Sequence, residues 1–184
     1  DPATVTVAPP SPAQNKQPAW SWTASDDDDP DKPWQSEVKE YDFSLTRNAE
    51  APAVHKVTAP SVAWQPGADM EDGKYTVTVL ARDNAGNVSA PVLGEQYILD
   101  TTVPPNVGTI TGPTSPANVK QPTWTWAAVD DGTWGSGIKH YKVQIDNGGG
   151  GGFVDATPAT ATGPSWTPNA ELVDATHKIR VKAV

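Results

Sequence analysis

All eight tryptophans of this chain fall into two sets of four that run in the same order: Trp20, Trp22, Trp34 and Trp64, then Trp124, Trp126, Trp134 and Trp166. Their surroundings repeat as well. Ser11-Pro-Ala-Gln-Asn-Lys-Gln-Pro-Ala-Trp-Ser-Trp22 returns as Ser115-Pro-Ala-Asn-Val-Lys-Gln-Pro-Thr-Trp-Thr-Trp126. A chain that replays itself at a period of about 100 residues is an array of similar domains. The repeat divides the 184 residues into two domains, 1–100 and 101–184. Domains this small bury only about 60–65% of their extended-chain surface, so each core needs much apolar mass per residue. Four tryptophans per repeat supply it, since a large aromatic side chain buries about 150–250 Å².

Within each repeat the pattern is that of short strands, punctuated by the chain's 19 prolines and 15 glycines. Thr4-Val-Thr-Val-Ala8 alternates and predicts an opening strand. Residues 18–24 predict a second, with Trp20 and Trp22 two apart and so on one face of the pleat. A third, from about 38 to 46, sets Tyr41, Phe43 and Leu45 on one side. Weaker strands are expected near 53–58 and 60–65. The clearest runs to residue 81, with Tyr75, Val77, Val79 and Ala81 on one face and Thr76 and Thr78 on the other. Asp83-Asn-Ala-Gly-Asn87 is a tight turn, and 88–99 is the closing strand.

The second repeat follows the same plan, with strands expected at 107–111, 122–128 and 138–146 and a five-glycine hairpin tip at 148–152. His177, Ile179, Val181 and Ala183 take the places of Tyr75, Val77, Val79 and Ala81. The counterpart of 88–99 does not follow, so this repeat is expected to be one strand short, with a row of backbone groups unpaired. Either the chain is cut inside a longer array, or a strand from another chain fills the gap. Between the repeats, Asp100-Thr-Thr-Val-Pro-Pro105 reads as a stiff, extended junction.

Pro18-Ala-Trp-Ser-Trp22, Tyr41, Trp64-Gln-Pro66 and the stretch from Asp72-Gly-Lys-Tyr75 to Asn87-Val-Ser89 carry a family resemblance over almost the whole chain. It resembles the immunoglobulin-like and fibronectin type III-like repeats of large bacterial surface proteins, with Tyr75 in the tyrosine-corner position. The second repeat departs there, having His177 for the tyrosine and Asp174-Ala175 for Asp-Gly. The resemblance implies an all-β chain of two tandem antiparallel β-sandwiches, the second truncated before its last strand, G. It also implies a structural extender of a secreted or cell-surface adhesin. There, neighbouring repeats of the same chain are the partners and calcium often stiffens the junctions.

Charge and composition narrow the function further. The net charge is −9, with 16 acidic against 7 basic side chains in residues 1–100 and 6 against 6 in the rest. Phosphate binding needs clustered Lys and Arg, so nucleic acid is excluded as a partner. No apolar run approaches the length of a membrane span. The absence of cysteine rules out disulfides and thiolate metal sites. In a sandwich of this type the turn of repeat one carrying Asp69, Glu71 and Asp72 should meet the turn of repeat two carrying Asp130 and Asp131, with Asp100 between. Carboxylates converging there would repel unless a hard cation binds, and Ca²⁺ takes six to eight oxygens. The alternative is a set of solvated turn residues, because Asp is also a good turn former. Asp26 to Asp29 and Asp31 form the equivalent loop of repeat one, without the alternating spacing of an EF-hand.

Trp34 and Trp134 differ from the other tryptophans in sitting on polar loops. Either they cap their own sandwiches or pack at a domain joint, or they stack on a ligand. The second reading makes the chain a carbohydrate- or protein-binding module, with a glycan or a host or cell-surface protein as partner. Catalysis has no comparable support: His55, His140 and His177 lack metal-ligand spacing, and no serine stands in a nucleophile elbow.

Overall fold

The computed structural model describes residues 5–25 and 36–184. Trp34 and the aspartates at 26–29 and 31 therefore lie outside the described residues. The chain forms two compact units, one of Asp1–Thr102 with Trp134–Ser136 and one of Val103–Thr133 with Gly137–Val184. Among the described residues every regular element is a β-strand.

Unit 1 contains β1 (Val5–Val7), β2 (Trp20–Trp22), β3 (Val38–Arg47), β4 (Ala53–Thr58), β5 (Ala63–Trp64), β6 (Gly73–Asp83), β7 (Val92–Leu93) and β8 (Tyr97–Leu99). One sheet runs β1-β2-β5 and the other β4-β3-β6-β7, with β8 also paired to β6. Alternation sorts the side chains. Tyr41, Phe43 and Leu45 of β3 and Tyr75, Val77, Val79 and Ala81 of β6 are buried together with Trp20 and Trp22 of the facing sheet. Phe43 stacks on Trp64 at 4.5 Å and against Trp22 at 5.7 Å, so a ring from one sheet is wedged between rings of the other. Phe43, Val77 and Val79 are fully inaccessible, and each such burial stabilises by about 1.5–3 kcal/mol. On the outer face of the same sheet, Lys56 of β4 lies 2.6 Å from Glu40 and 3.1 Å from Asp42 of β3, and Arg82 of β6 reaches the same two carboxylates. The carboxylates are mostly covered while the Lys56 head remains in solvent, and cross-strand pairs of this kind contribute about 0.2–1 kcal/mol each.

The expected closing strand at 88–99 is two short pieces. Pro91 cannot donate to the ladder, and after β7 the chain leaves it with Gly94 N bonded to Val77 O. It returns as β8, in register Tyr75 with Tyr97, Lys74 with Ile98 and Gly73 with Leu99. The detour lets β8 reach across to the segment before β2. Ala13 N donates to Ile98 O and Asp100 N to Ala13 O, both at 3.0 Å. Ile98 N donates to Ser11 Oγ at 2.9 Å, and Tyr97 Oη to Asn15 O at 2.5 Å. β8 thus closes one side of the sandwich over Trp20.

Unit 2 contains β9 (Ile110–Thr111), β10 (Trp124–Trp126), β11 (Tyr141–Asp146), β12 (Val154–Ala161), β13 (Ser165–Trp166) and β14 (Lys178–Ala183), in sheets β13-β10-β9 and β12-β11-β14. No strand expected from the sequence covers β12. It carries Pro158 on an edge strand, where a missing N–H costs no ladder bond. The inner faces repeat those of unit 1. Trp124 and Trp166 are direct cross-strand partners 5.5 Å apart at 35°, as Trp20 and Trp64 are at 5.7 Å and 32°. Trp126 meets Tyr141 edge-on at 5.3 Å, as Trp22 meets Tyr41 at 5.5 Å. Each tyrosine then accepts a backbone N–H at 3.0 Å, from Val129 and Ser25 respectively. The chain is therefore all-β, two tandem β-sandwiches with one core plan. In unit 2, β14 pairs with β11 and stands at the edge of its sheet among the described residues.

Candidate functional site

Three groups of residues bear on function: the corner leading into β6 and its counterpart, the acidic turns, and the exposed tryptophan.

At the corner of unit 1, Tyr75 Oη donates to Glu71 O, four residues upstream, at 2.5 Å. This is the bond that defines a tyrosine corner. Arg47 supports the same turn, donating to Asp72 O at 2.8 Å through Nη2 and lying 2.7 Å from Glu71 Oε2. At Gly73, where the chain turns in, a Cβ would sit 2.9 Å from Asn48 Oδ1 and 3.1 Å from Arg47 Nε, so both side chains would have to shift. In unit 2, His177 Nε2 lies 2.8 Å from Val173 O, again four residues upstream, and Nδ1 lies 3.1 Å from Asn147 Oδ1. A carbonyl only accepts, so Nε2 carries the proton. The imidazole makes the bond that the phenol makes in unit 1.

The acidic side chains expected to gather at a cation are each engaged by protein donors. Asp69 Oδ1 accepts from Gln17 Nε2 at 3.0 Å, and Glu71 is held by Arg47. Asp72 accepts three bonds, from Thr101 N and from the hydroxyls of Thr101 and Thr102. Burial alone would raise its pKa, but the Thr102 and Thr101 bonds outweigh that and hold the carboxyl below its ordinary value. Asp100 is buried; Thr102 N donates to its Oδ1 at 3.1 Å, and Ser136 N, of the same compact unit, to its Oδ2 at 2.7 Å. Asp72 and Asp100 thus meet around Thr102, while Asp69 and Glu71 have partners of their own. In unit 2, Asp130 Oδ1 accepts from Gly132 N, and Asp131 Oδ2 from Gly137 N, both at 2.9 Å; Asp131 Oδ1 is buried without a partner. Among the described residues no group of three or more His, Asp or Glu is placed to hold a metal ion.

Trp134 is 42% exposed, unlike the core tryptophans. An indole half in solvent offers a face on which a flat apolar surface can stack.

One concavity has no counterpart among the motifs read from the sequence. In unit 2 a cleft of about 170 Å³ opens between the segment 115–120 and the segment 172–177, lined by Ser115, Ala117, Lys120, Trp124, Asp174 and His177 among others.

No protein-family model matches the sequence, and no curated protein is significantly similar to it. Among solved structures, it is similar to a segment of two fibronectin type III domains from chicken tenascin, at 13% identity, a TM-score of 0.43, and coverage of all of this chain and 85% of that one. It is also similar to the FN1–FN3 domains of chicken CNTN1, at 14% identity and a TM-score of 0.39, covering all of this chain and 62% of that one. No helix among the described residues is long and apolar enough to cross a membrane.

Proposed function

We propose that this chain is a structural extender, a segment of a secreted or cell-surface repeat protein of the bacterial adhesin type. In this reading tandem sandwiches hold other domains away from the cell, and the partners are neighbouring repeats of the same chain. The observation that carries it is the duplicated core. Two units with the same tryptophan and tyrosine contacts, at spacings within 0.2 Å of each other, are what an array built by repetition of one module requires. The Val103-Pro104-Pro105 junction adds stiffness, since adjacent prolines restrict the backbone. Solution scattering tests the reading. An extender has a radius of gyration well above the ~16 Å of a single globule of this length, and a value near that figure would count against it.

Calcium is a separable part of the proposal, supported by the carboxylates of the turns at 69–72 and 130–131. Calorimetry should give a heat of Ca²⁺ binding and a melting temperature that falls in chelator; silence in both removes calcium and leaves the extender standing.

The exposure of Trp134 favours one second reading, a module that binds carbohydrate or protein through its loop tryptophans, Trp34 and Trp134. Retention on a glycan array that is lost in Trp34→Ala and Trp134→Ala would establish it.

A further inference from the structure

The chain has eight asparagines, and only Asn147 is followed by glycine. It begins the tip between β11, which ends at Asp146, and β12, which starts at Val154. Asn147 and Gly148 are both exposed. Gly148 N donates to the Asp146 carboxylate, 2.9 Å from Oδ1. His177 Nδ1 lies 3.1 Å from Asn147 Oδ1, while its Nε2 is held by Val173 O at 2.8 Å. We propose that Asn147–Gly148 is a self-modification site. Gly148 N closes on the Asn147 side chain to a succinimide that opens to aspartate and isoaspartate, with Asp146 and His177 moving the protons.

The glycine is imposed by the fold. Gly148 has a φ of +76°, and a Cβ there would sit 2.7 Å from Thr176 O, a backbone atom. A residue with a side chain does not fit, so an unhindered backbone nitrogen always follows Asn147. In the ring closure the Gly148 N–H proton passes to the Asp146 carboxylate it already faces, and the nitrogen bonds to Asn147 Cγ. The Cγ–Nδ2 bond breaks, and ammonia leaves with a proton from His177 Nδ1 of the imidazolium form. The ring left behind is the Nε2–H tautomer, which the bond to Val173 O holds. Solvent carries the proton from Asp146 back to His177. Water then adds to either succinimide carbonyl, so the net change exchanges one ammonia for one water and needs no other reactant. A base on the attacking nitrogen and an acid at the leaving one are the parts of general acid–base catalysis. Unit 1 has Arg47 and Asn48 at the equivalent places. Asn48 precedes alanine, and its Oδ1 already accepts Lys74 N at 2.8 Å. The reaction therefore marks one repeat only, setting a carboxylate where a neutral amide met His177.

The test incubates the whole folded chain at neutral pH. Ammonia loss at each asparagine is followed by peptide mapping, and isoaspartate by enzymatic methylation. The reference is a synthetic peptide of residues 141–153, which keeps the local sequence without the His177 contact. Conversion in the folded chain should be confined to Asn147 and run about tenfold or more faster than in the peptide, short of the ~100-fold or more that a fully aligned acid or base contributes in an enzyme. Asp146→Asn keeps an acceptor for Gly148 N but not its basicity, and it should slow the folded chain towards the peptide rate. His177→Phe should slow it too, with the melting transition of unit 2 confirming that the fold is kept. A folded chain that converts no faster than the peptide would overturn the proposal, because the fold would then shield the amide or leave it unaffected. An unchanged rate in either variant would overturn it as well.

Discussion

The two units share a core and differ at a rim. In unit 1 the entrance to the sandwich is closed by β8, and Trp20 is 1% exposed; in unit 2 the same entrance is open, and Trp124 is 9% exposed. Ala13, partly buried in unit 1, has an exposed counterpart in Ala117. Yet the facing tryptophans, the capped tyrosines and the central strand pair are laid out alike in both. The core plan therefore does not depend on the rim. It is carried by the cross-strand tryptophan pairs and by β3 with β6 or β11 with β14, where alternation turns every second side chain inward, Ile179 and Val181 of β14 only partly buried.

Several substitutions can break or sharpen this comparison. The largest effects should come from the core. Trp22→Ala and Trp126→Ala should each cost about 3–5 kcal/mol in their own unit, read as loss of one of two transitions in calorimetry. Strongly unequal costs would mean that the cores are not equivalent. Next comes the rim. Leu99→Ala should cost unit 1 about 2–5 kcal/mol and leave the transition of unit 2 unmoved. An effect below about 1 kcal/mol would show that β8 is dispensable and would weaken the comparison at its base. At the corners, Tyr75→Phe removes one bond to a carbonyl four residues upstream, worth about 0.5–1.5 kcal/mol, and His177→Ala removes the equivalent bond together with the ring and its contact to Asn147, so it should cost at least as much. His177→Tyr should restore what His177→Ala loses if the two corners are one device.

The smallest effect is a pH dependence confined to unit 1. The Asp83 carboxyl is held down to about 2, first by the Asn87 side chain and then by Ser36, with the Asn87 and Gly86 N–H groups adding to it. Its folded pKa is below its unfolded value, so the stabilisation is present above pH ~4 and is lost as pH falls towards ~2. Asp83→Asn should make the acid limb of unit 1 shallower and leave that of unit 2 unchanged, measured by thermal melts between these values; Asp72 and Asp100, also held below their ordinary values, keep the remainder.

The fold class was legible because large side chains at period two leave few choices. Tyr41-x-Phe-x-Leu45 and Tyr75-x-Val-x-Val-x-Ala81 each place one face inward, and the structure buries all seven. Residues 88–99 were harder. Val92, Tyr97 and Leu99 look like one strand, but Pro91 and Gly94 break the ladder into two pieces that serve different neighbours. β12 was missed because Val154-Asp-Ala-Thr-Pro-Ala-Thr-Ala161 has no strong alternation, and its pairing to β11 decides it. His177 left the second corner open in the sequence, since imidazole and phenol differ in size while both present an N–H or O–H. The acidic turns were visible as composition only. Their partners, Gln17, Arg47, Thr101 and Thr102, are donors whose roles depend on how loops meet.

Residue-resolved hydrogen exchange at two alanine amides tests the central comparison most directly. Ala13 N is bonded to Ile98 O and should exchange slowly, with the protection of unit 1 as a whole. Ala117 N has no backbone partner among the described residues and should exchange near the rate of an unprotected amide. Equal protection of the two amides in the chain alone would contradict the account.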